Sequence, residues 1–312
     1  MNPSITIAIT YYNEKVLLTD CLRSLATQAI APLEVIIFDD ASTDRPDGYL
    51  VEGLAIRVIR SEENIGPGRA RNELLKVAQG EWIHFHDSDD FFMPDWSKEV
   101  VERIRHQPTD VVFSEVTSYI DGKVLAENVI GFSDLSSDPN LVRFALQHII
   151  LVPCGTYRTE VIRKLGGYRS ELWQSEDFDF HVRLAASKPR FEVIAKPLVG
   201  IRIRRESRSQ NRAETRLSAF EAVQILRSEL AEEYLADLAE VSARLGSELF
   251  SLGEKTKAHQ AFLFAQKCGG AQFLYGSRAY RLLALNLGPE VAEKVGHVYR
   301  RIVPSAWRRA LR

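Results

Sequence analysis

The chain has 312 residues, 45% of them apolar and 26% charged, with 18 Gly and 12 Pro. This is globular composition, enough for about two domains at roughly 150 residues each, and it excludes a disordered, collagenous or low-complexity protein. Forty Lys and Arg against 42 Asp and Glu leave a net charge of −2, which argues against a polyanion or nucleic-acid binder.

In chain order, Ile5–Thr10 reads as a strand, and Glu14–Ala29 places Leu18, Cys21, Leu22 and Leu25 at helical spacing. Leu33–Phe38 is an almost unbroken apolar run, as in a strand covered on both faces. Ala55–Arg60 is a shorter strand, Gly66–Ala78 a helix, and Glu81–His86 a strand that runs into acids. This alternation predicts a parallel-type sheet between helices, with ligands beyond the carboxyl ends of its strands. Next come a helix at Trp96–Arg105, a strand at Asp110–Tyr119, a loop through Asp134–Pro139 and a helix at Phe178–Ala186.

After Arg212 the character changes: Leu235, Leu238, Val241, Leu245, Leu249 and Leu252 recur every three or four residues. A boundary there gives domains 1–212 and 213–312, the second all helical. Leu245, Gly246, Leu249, Ala258, Phe262 and Ala265 have the spacing of one tetratricopeptide-like hairpin. A lone hairpin cannot bury both faces, so it needs the first domain or a second copy of the chain to cover it.

Lys294–Arg312 is basic, carries no acid and interleaves Val295, Val298, Ile302, Val303, Trp307 and Leu311. That pattern suits an anionic membrane surface, with a solvated helix face or a dimer contact as the alternative. No apolar stretch is long enough to span a bilayer; the longest is near Phe144–Pro153. Met1–Thr10 lacks signal-peptide features. Cys21, Cys154 and Cys268 are odd in number and far apart, which favours a reducing compartment. The expectation is a cytoplasmic protein, peripheral at the membrane if the tail binds lipid.

Three strands end in polar clusters: Thr10-Tyr11-Tyr12-Asn13-Glu14, Asp39-Asp40-Ala41-Ser42-Thr43-Asp44 and Asp87-Ser88-Asp89-Asp90. Each alone could be an ordinary turn or cap. Together at one sheet edge the carboxylates would repel unless a positive group sat among them. A divalent cation is the simplest candidate, and oxygen ligands suit Mg²⁺ or Mn²⁺. Asp87 and Asp89, two apart at a strand end, face the same side and could share it. Gly66-Pro67-Gly68-Arg69 lacks the spacing of a dinucleotide loop and reads as a helix start. His84 and His86 read as polar positions inside a strand rather than as ligands.

The segments ITIAITYYNE, EVIIFDDASTD, ENIGPGRARNELLKVAQGEWIHFHDSDD and RKLGGYRSELWQSEDFDFHVRLA resemble the family-two, GT-A-type inverting glycosyltransferases. The resemblance covers about Ser4–Ser209. It implies an α/β GT-A-type domain with a Rossmann-like mixed sheet and helices on both faces. It also implies a nucleotide-diphosphosugar donor, a UDP-sugar above others, a Mn²⁺ or Mg²⁺ ion, and a glycan or lipid-linked acceptor. Thr10, Tyr12 and Glu14 match the nucleotide side of the first strand, and Asp40 the acid that accepts from the base. Arg71, with Asn72, matches a segment near the nucleotide, and Ser88 lies between the acids. Asp87 matches the acid near ribose and metal, Asp89 the metal ligand, and Asp177 of the Glu176-Asp177 pair the catalytic base. The family often carries an Arg-x-His-x-x-Ser stretch after the base, and its His can help bind metal. Arg204 stands at that position, where it can bind diphosphate but no metal. Two readings follow: a cation held by Asp89 and phosphate oxygens alone, or part of its electrostatic role taken by Arg204 or Arg205. A non-catalytic nucleotide-sugar-binding module is the alternative function. A DxDxT phosphatase is disfavoured because Phe91 occupies the Thr position.

Overall fold

The computed structural model describes residues 2–136, 139–204, 211–269 and 277–302. Arg205–Gln210 and the end of the basic tail, Val303–Arg312, lie outside the described residues. The chain forms two compact units, Met1–Ser207 and Arg208–Arg312.

The first unit runs β1 (Ile5–Tyr11), α1 (Lys15–Ala26), β2 (Glu34–Asp39), β3 (Ile56–Arg60), α2 (Pro67–Val77), β4 (Trp82–Asp87), β5 (Phe91–Phe92) and α3 (Trp96–His106). It continues through β6 (Val111–Ile120), β7 (Lys123–Ala126), α4 (Leu141–Gln147), β8 (Gly155–Arg158), α5 (Thr159–Leu165), α6 (Glu176–Ala186) and β9 (Phe191–Arg202). The sheet order is β3-β2-β1-β4-β8-β6-β9-β5, with β7 on β6. The first four strands are mutually parallel, so β1, β2 and β4 end at one edge. Thr10 is level with Phe38 and Asp87, and Tyr11 with Asp39. Strand β8 runs antiparallel to β4 and β6, which makes the sheet mixed.

Ile7, Ile9, Val35 and Ile37 are completely buried in the central strands. Each such side chain contributes about 1.5–3 kcal/mol gross, enough to hold the strand ends together although they converge acids.

Six elements of this unit have no counterpart in the sequence expectations: β5, β7, α4, β8, α5 and β9. Helices α4 and α5 are only seven residues long and β8 four, too short for periodicity to register. Strand β9 contains Pro197, opposite Glu115 where the β6 register slips, so the missing N–H falls at an irregularity. The described part of the expected 134–139 loop belongs to a 3-10 turn, Phe132–Ser136, with Phe132 and Leu135 buried.

The second unit contains α7 (Arg212–Leu226), α8 (Leu235–Ser251), α9 (Lys255–Gly269), α10 (Arg278–Leu287) and α11 (Pro289–Ile302). Helices α8 and α9 pair around Leu249, Ala258, Phe262 and Ala265. Ala284 of α10 and Ala292 of α11 join the same cluster, so part of the cover that the hairpin needs comes from its own unit. A Cβ on Gly246 would lie 2.7 Å from the buried Phe262 ring. Gly246→Val should therefore destabilise this unit by about 1–3 kcal/mol through overpacking. A thermal midpoint equal to wild type would disprove that close fit. No described helix is long and apolar enough to cross a membrane.

Candidate active site

The loops after β1 and β2 are stapled to each other. Asn13 has φ 57° and Ala41 φ 60°, left-handed conformations that turn each chain sharply at its strand end. The Asn13 side-chain oxygen accepts from the Thr43 amide (2.9 Å), the Thr43 hydroxyl (3.1 Å) and the Asp44 amide (3.2 Å). The Tyr11 hydroxyl donates to the Asp44 carbonyl at 2.7 Å. Buried Asp39 pairs with Arg60 and accepts from the Ser42 amide at 2.9 Å, so it braces the loop. Asp40, also buried, accepts from the Ile65 amide (2.7 Å) through Oδ1 and the Gly66 amide (3.0 Å) through Oδ2. Gly66 has φ +83°, and the Trp173 ring lies 3.1 Å from where its Cβ would be. Tyr12 is half exposed beside this loop.

At the end of β4, Asp87 Oδ1 accepts from the Thr10 hydroxyl (3.1 Å) and Arg71 Nη2 (2.7 Å). Burial would raise the Asp87 carboxyl; the Arg71 guanidinium reverses that and holds it below the usual range. Ser88 is buried, and its amide donates to the Thr10 carbonyl. Asp89 Oδ2 accepts from Arg204 Nη2 at 2.6 Å. The same guanidinium forks onto Glu14, Nη1 to Oε2 at 2.8 Å and Nη2 to Oε1 at 2.7 Å. Burial and the charge of Asp87 push Asp89 above its ordinary value, with Arg204 opposing them. Asp90 Oδ1 accepts from the Arg202 amide at 2.9 Å.

Acids converging at one sheet edge need positive charge among them. The structure supplies Arg60, Arg71, Arg202 and Arg204. Hard oxygens on Asp87 and Asp89 are the right donors for Mg²⁺ or Mn²⁺. Among the described residues no three His, Cys, Asp or Glu side chains gather as a metal cluster. Two carboxylates therefore fit a cation only as part of a shell that a diphosphate and water would complete.

The third side of the site is the start of α6. Ser175 has φ 57°, and this left-handed residue sets the direction of Glu176 and Asp177. Glu176 is buried and pairs with Arg71 Nη1 at 2.8 Å. Arg71 is 4% exposed and bridges Asp87 and Glu176, with its guanidinium carbon 5.3 Å from the Tyr168 ring centroid. The neighbouring Asn72 exchanges two hydrogen bonds with the Tyr168 backbone, at 2.7 and 2.8 Å. Asp177 is half-buried, and its Oδ1 accepts from the Phe178 amide at 2.8 Å. Burial and the adjacent Glu176 push the Asp177 carboxyl up to about 7. Burial keeps His181 neutral, down to about 3, so its Nδ1–H donates to the Asp177 carbonyl (2.8 Å) and its Nε2 accepts from the Tyr157 hydroxyl (2.8 Å). His84 and His86 are buried inside the sheet, His84 bonding Thr156 at 3.0 Å and His86 at 3.2 Å.

Strand ends rich in acids thus meet a helix start bearing a carboxylate poised near neutral pH. The profile of "Glycosyl transferase family 2" matches residues 6–166, more than half of the chain. The chain belongs to that family. The family match covers β1 through α5 and stops before the Glu176-Asp177 pair.

Among its relatives, an uncharacterized glycosyltransferase of Haemophilus influenzae is 29% identical over 187 residues, 58% of this chain and 61% of that protein. Glycosyltransferase GlyG of Streptococcus pneumoniae is 25% identical over 76% of this chain and 83% of its own. The poly(ribitol-phosphate) beta-N-acetylglucosaminyltransferase TarS of Staphylococcus aureus is 27% identical over 73% of this chain. The chain spans 42% of TarS. The crystal structure of TarS 1–349 with UDP-GlcNAc superposes with a TM-score of 0.68 at 21% identity, covering 96% of this chain and 92% of that one. The mannosyltransferase PcManGT of Pyrobaculum calidifontis, in complex with GDP-Man and Mn²⁺, gives 0.60 at 18% identity over 97% and 88% of the two chains. At these identities the likeness shows the GT-A fold of the family-two enzymes.

Of the residues singled out in the sequence of this family 2 protein, Thr10, Arg71 and Asp87 form one hydrogen-bonded group, extended through Arg71 to Glu176. Glu14, Asp89 and Arg204 form a second. Asp40 belongs with Ile65 and Gly66, and Asp177 stands with Phe178 and His181. Sequence reasoning missed Arg60 and Tyr168, and gave Asp90 and Arg202 no role of their own. Arg60 had a signal: it ends a predicted strand and is level with Asp39. Arg202 ends β9, a strand no pattern revealed, and Arg204, singled out through the family resemblance, lies two residues beyond it.

Proposed function

We propose that this glycosyltransferase is an inverting enzyme that moves a sugar from a UDP-sugar to a hydroxyl of a glycan or lipid-linked acceptor. The observation that carries the reading is Asp177: a half-buried carboxylate with a pKa near 7 at a helix start, joined through Glu176 and Arg71 to the Asp87–Asp89 strand end. TarS, whose structures hold UDP and UDP-GlcNAc, supports the choice of nucleotide.

In this reading the acceptor oxygen attacks the anomeric carbon while the bond to the diphosphate breaks on the opposite face. Asp177 takes the acceptor proton, and the bonding electron pair leaves with the nucleotide. Asp40 and the β1 end would receive the base, and Thr10 with Arg71 hold Asp87 ionised beside the ribose. Asp89 and Asp87 would hold a divalent cation, which as a Lewis acid stabilises the departing diphosphate. Helix α11 exposes Val291, Val295 and Val298, which supports a peripheral contact with an anionic membrane on the cytoplasmic side.

The test is donor turnover across UDP-, GDP- and dTDP-sugars, with Mn²⁺ and with chelator. Asp89→Ala is expected to lose the Mn²⁺-stimulated turnover of wild type while keeping its circular dichroism. Near-normal turnover of that variant in Mn²⁺ would remove Asp89 from the site, and no turnover by wild type of any donor would favour a binding module.

A further inference from the structure

The arginines at the strand ends differ in how firmly their partners hold them. Arg71 is 4% exposed between two carboxylates, and Glu176 is nearly as deep, at 10%. If Arg71 left, a buried charge would lose its partner. Arg60 is more open, yet its partner Asp39 is 1% exposed, so the same penalty applies. Arg202 reaches the acids through its backbone amide to Asp90 and a guanidinium bond to the Asp89 carbonyl. Arg204 is different. Its side chain is 29% exposed, and its partners Glu14 and Asp89 are 23% and 21% exposed, so water can solvate all three when they part. Parting this group strands no carboxylate as deep as Glu176 or Asp39.

The chemistry of the group fits a second partner. A guanidinium fork binds phosphate oxygens as readily as carboxylates. Glu14, Asp89 and Arg204 together carry one net negative charge, a poor surface for an incoming diphosphate. Transfer of the guanidinium to the diphosphate would neutralise part of the ligand and release Asp89 Oδ2. We propose that Arg204 is a donor-binding residue held in reserve: Glu14 and Asp89 keep it at the strand ends until a nucleoside diphosphate arrives, and it then shifts to the diphosphate. Part of the donor affinity is therefore independent of any divalent cation. This inference rests on the nucleotide-sugar reading above.

Calorimetry of UDP and of uridine, in EDTA and in Mn²⁺, tests it on the full chain. In EDTA, Arg204→Gln should weaken UDP about 10–100-fold, the worth of a charge-assisted contact, and leave uridine unchanged. Glu14→Gln loosens the hold on Arg204 and should tighten UDP several-fold. Equal UDP affinity of wild type and Arg204→Gln in EDTA overturns the proposal, as does an equal loss of UDP and uridine, which would mean a structural role. UDP binding by wild type only with Mn²⁺ also sinks it while leaving the donor reading intact. No binding of any nucleoside diphosphate in either buffer sinks the donor reading itself.

Discussion

Asp177→Asn should lower sugar transfer by about 10²–10⁴-fold, the usual worth of a positioned general base, with donor binding retained. The separation is expected because the proposed donor-side contacts come from the ends of β1, β2 and β4, whereas Asp177 belongs to α6. Single-turnover transfer beside UDP calorimetry reads both quantities. Glu176→Gln is the control. Its carboxylate is committed to Arg71, so its loss should disturb positioning more than proton transfer. A greater loss in the Glu176 variant would move the base to Glu176.

The pH dependence follows from the same carboxyl. With a folded-state pKa near 7, kcat/KM should climb with pH through that value as Asp177 ionises. Stability runs the other way. An unfolded Asp titrates at about 3.9, so between roughly pH 4 and 7 the folded protein holds a proton that the unfolded chain has released. Raising the pH across that window removes stability. Asp177→Asn should therefore melt above wild type at pH 8 and converge with it below pH 4. A variant less stable than wild type at pH 8 would contradict the raised value.

Arg71→Met should be the most destabilising single change at the site. It leaves Glu176 buried and Asp87 half-buried without their shared counterion, a loss of about 3–5 kcal/mol, nearer the lower figure because Asp87 is 32% exposed. Chemical denaturation followed by tryptophan fluorescence reports it, since Trp82 and Trp96 lie in the core of the first unit. The double variant Arg71→Met, Glu176→Gln should recover part of the loss by removing the stranded charge. Unchanged stability in the single variant would show that the bridge is not formed in solution.

The elements that periodicity describes well were legible. Continuous apolar strands such as β2 and amphipathic helices such as α3 announce themselves in eleven residues or fewer, and their ends fell within a few residues of expectation. The gathering of acids at one edge followed from three parallel strands ending in Asp, Glu and Asn. What the sequence could not convey was which acid each arginine meets. Arg71 and Glu176 are 105 residues apart, and Glu14 and Arg204 are 190 apart. Such pairs exist only once the sheet order is known, and β8 runs against both β4 and β6 in a way no local pattern encodes. The bases of the loops were hidden for a different reason. Ala41 and Ser175 adopt left-handed conformations that favour glycine or asparagine, so nothing in their identity marks the turns they make.

Strand β9 gives the protein a particular order of assembly on the ribosome. It pairs with β5 through Phe91 and Gly200, and it brings Arg202 to Asp90, 112 residues upstream. Until β9 is made, the Asp87–Asp90 segment has neither its β5 partner strand nor two of its cations. At about 5–20 residues per second, that interval lasts roughly 6–20 seconds. For that time β5 has no partner strand and Asp89 and Asp90 lack Arg204 and Arg202, so these acids gain their counter-charge only when the last strand of the first unit is complete.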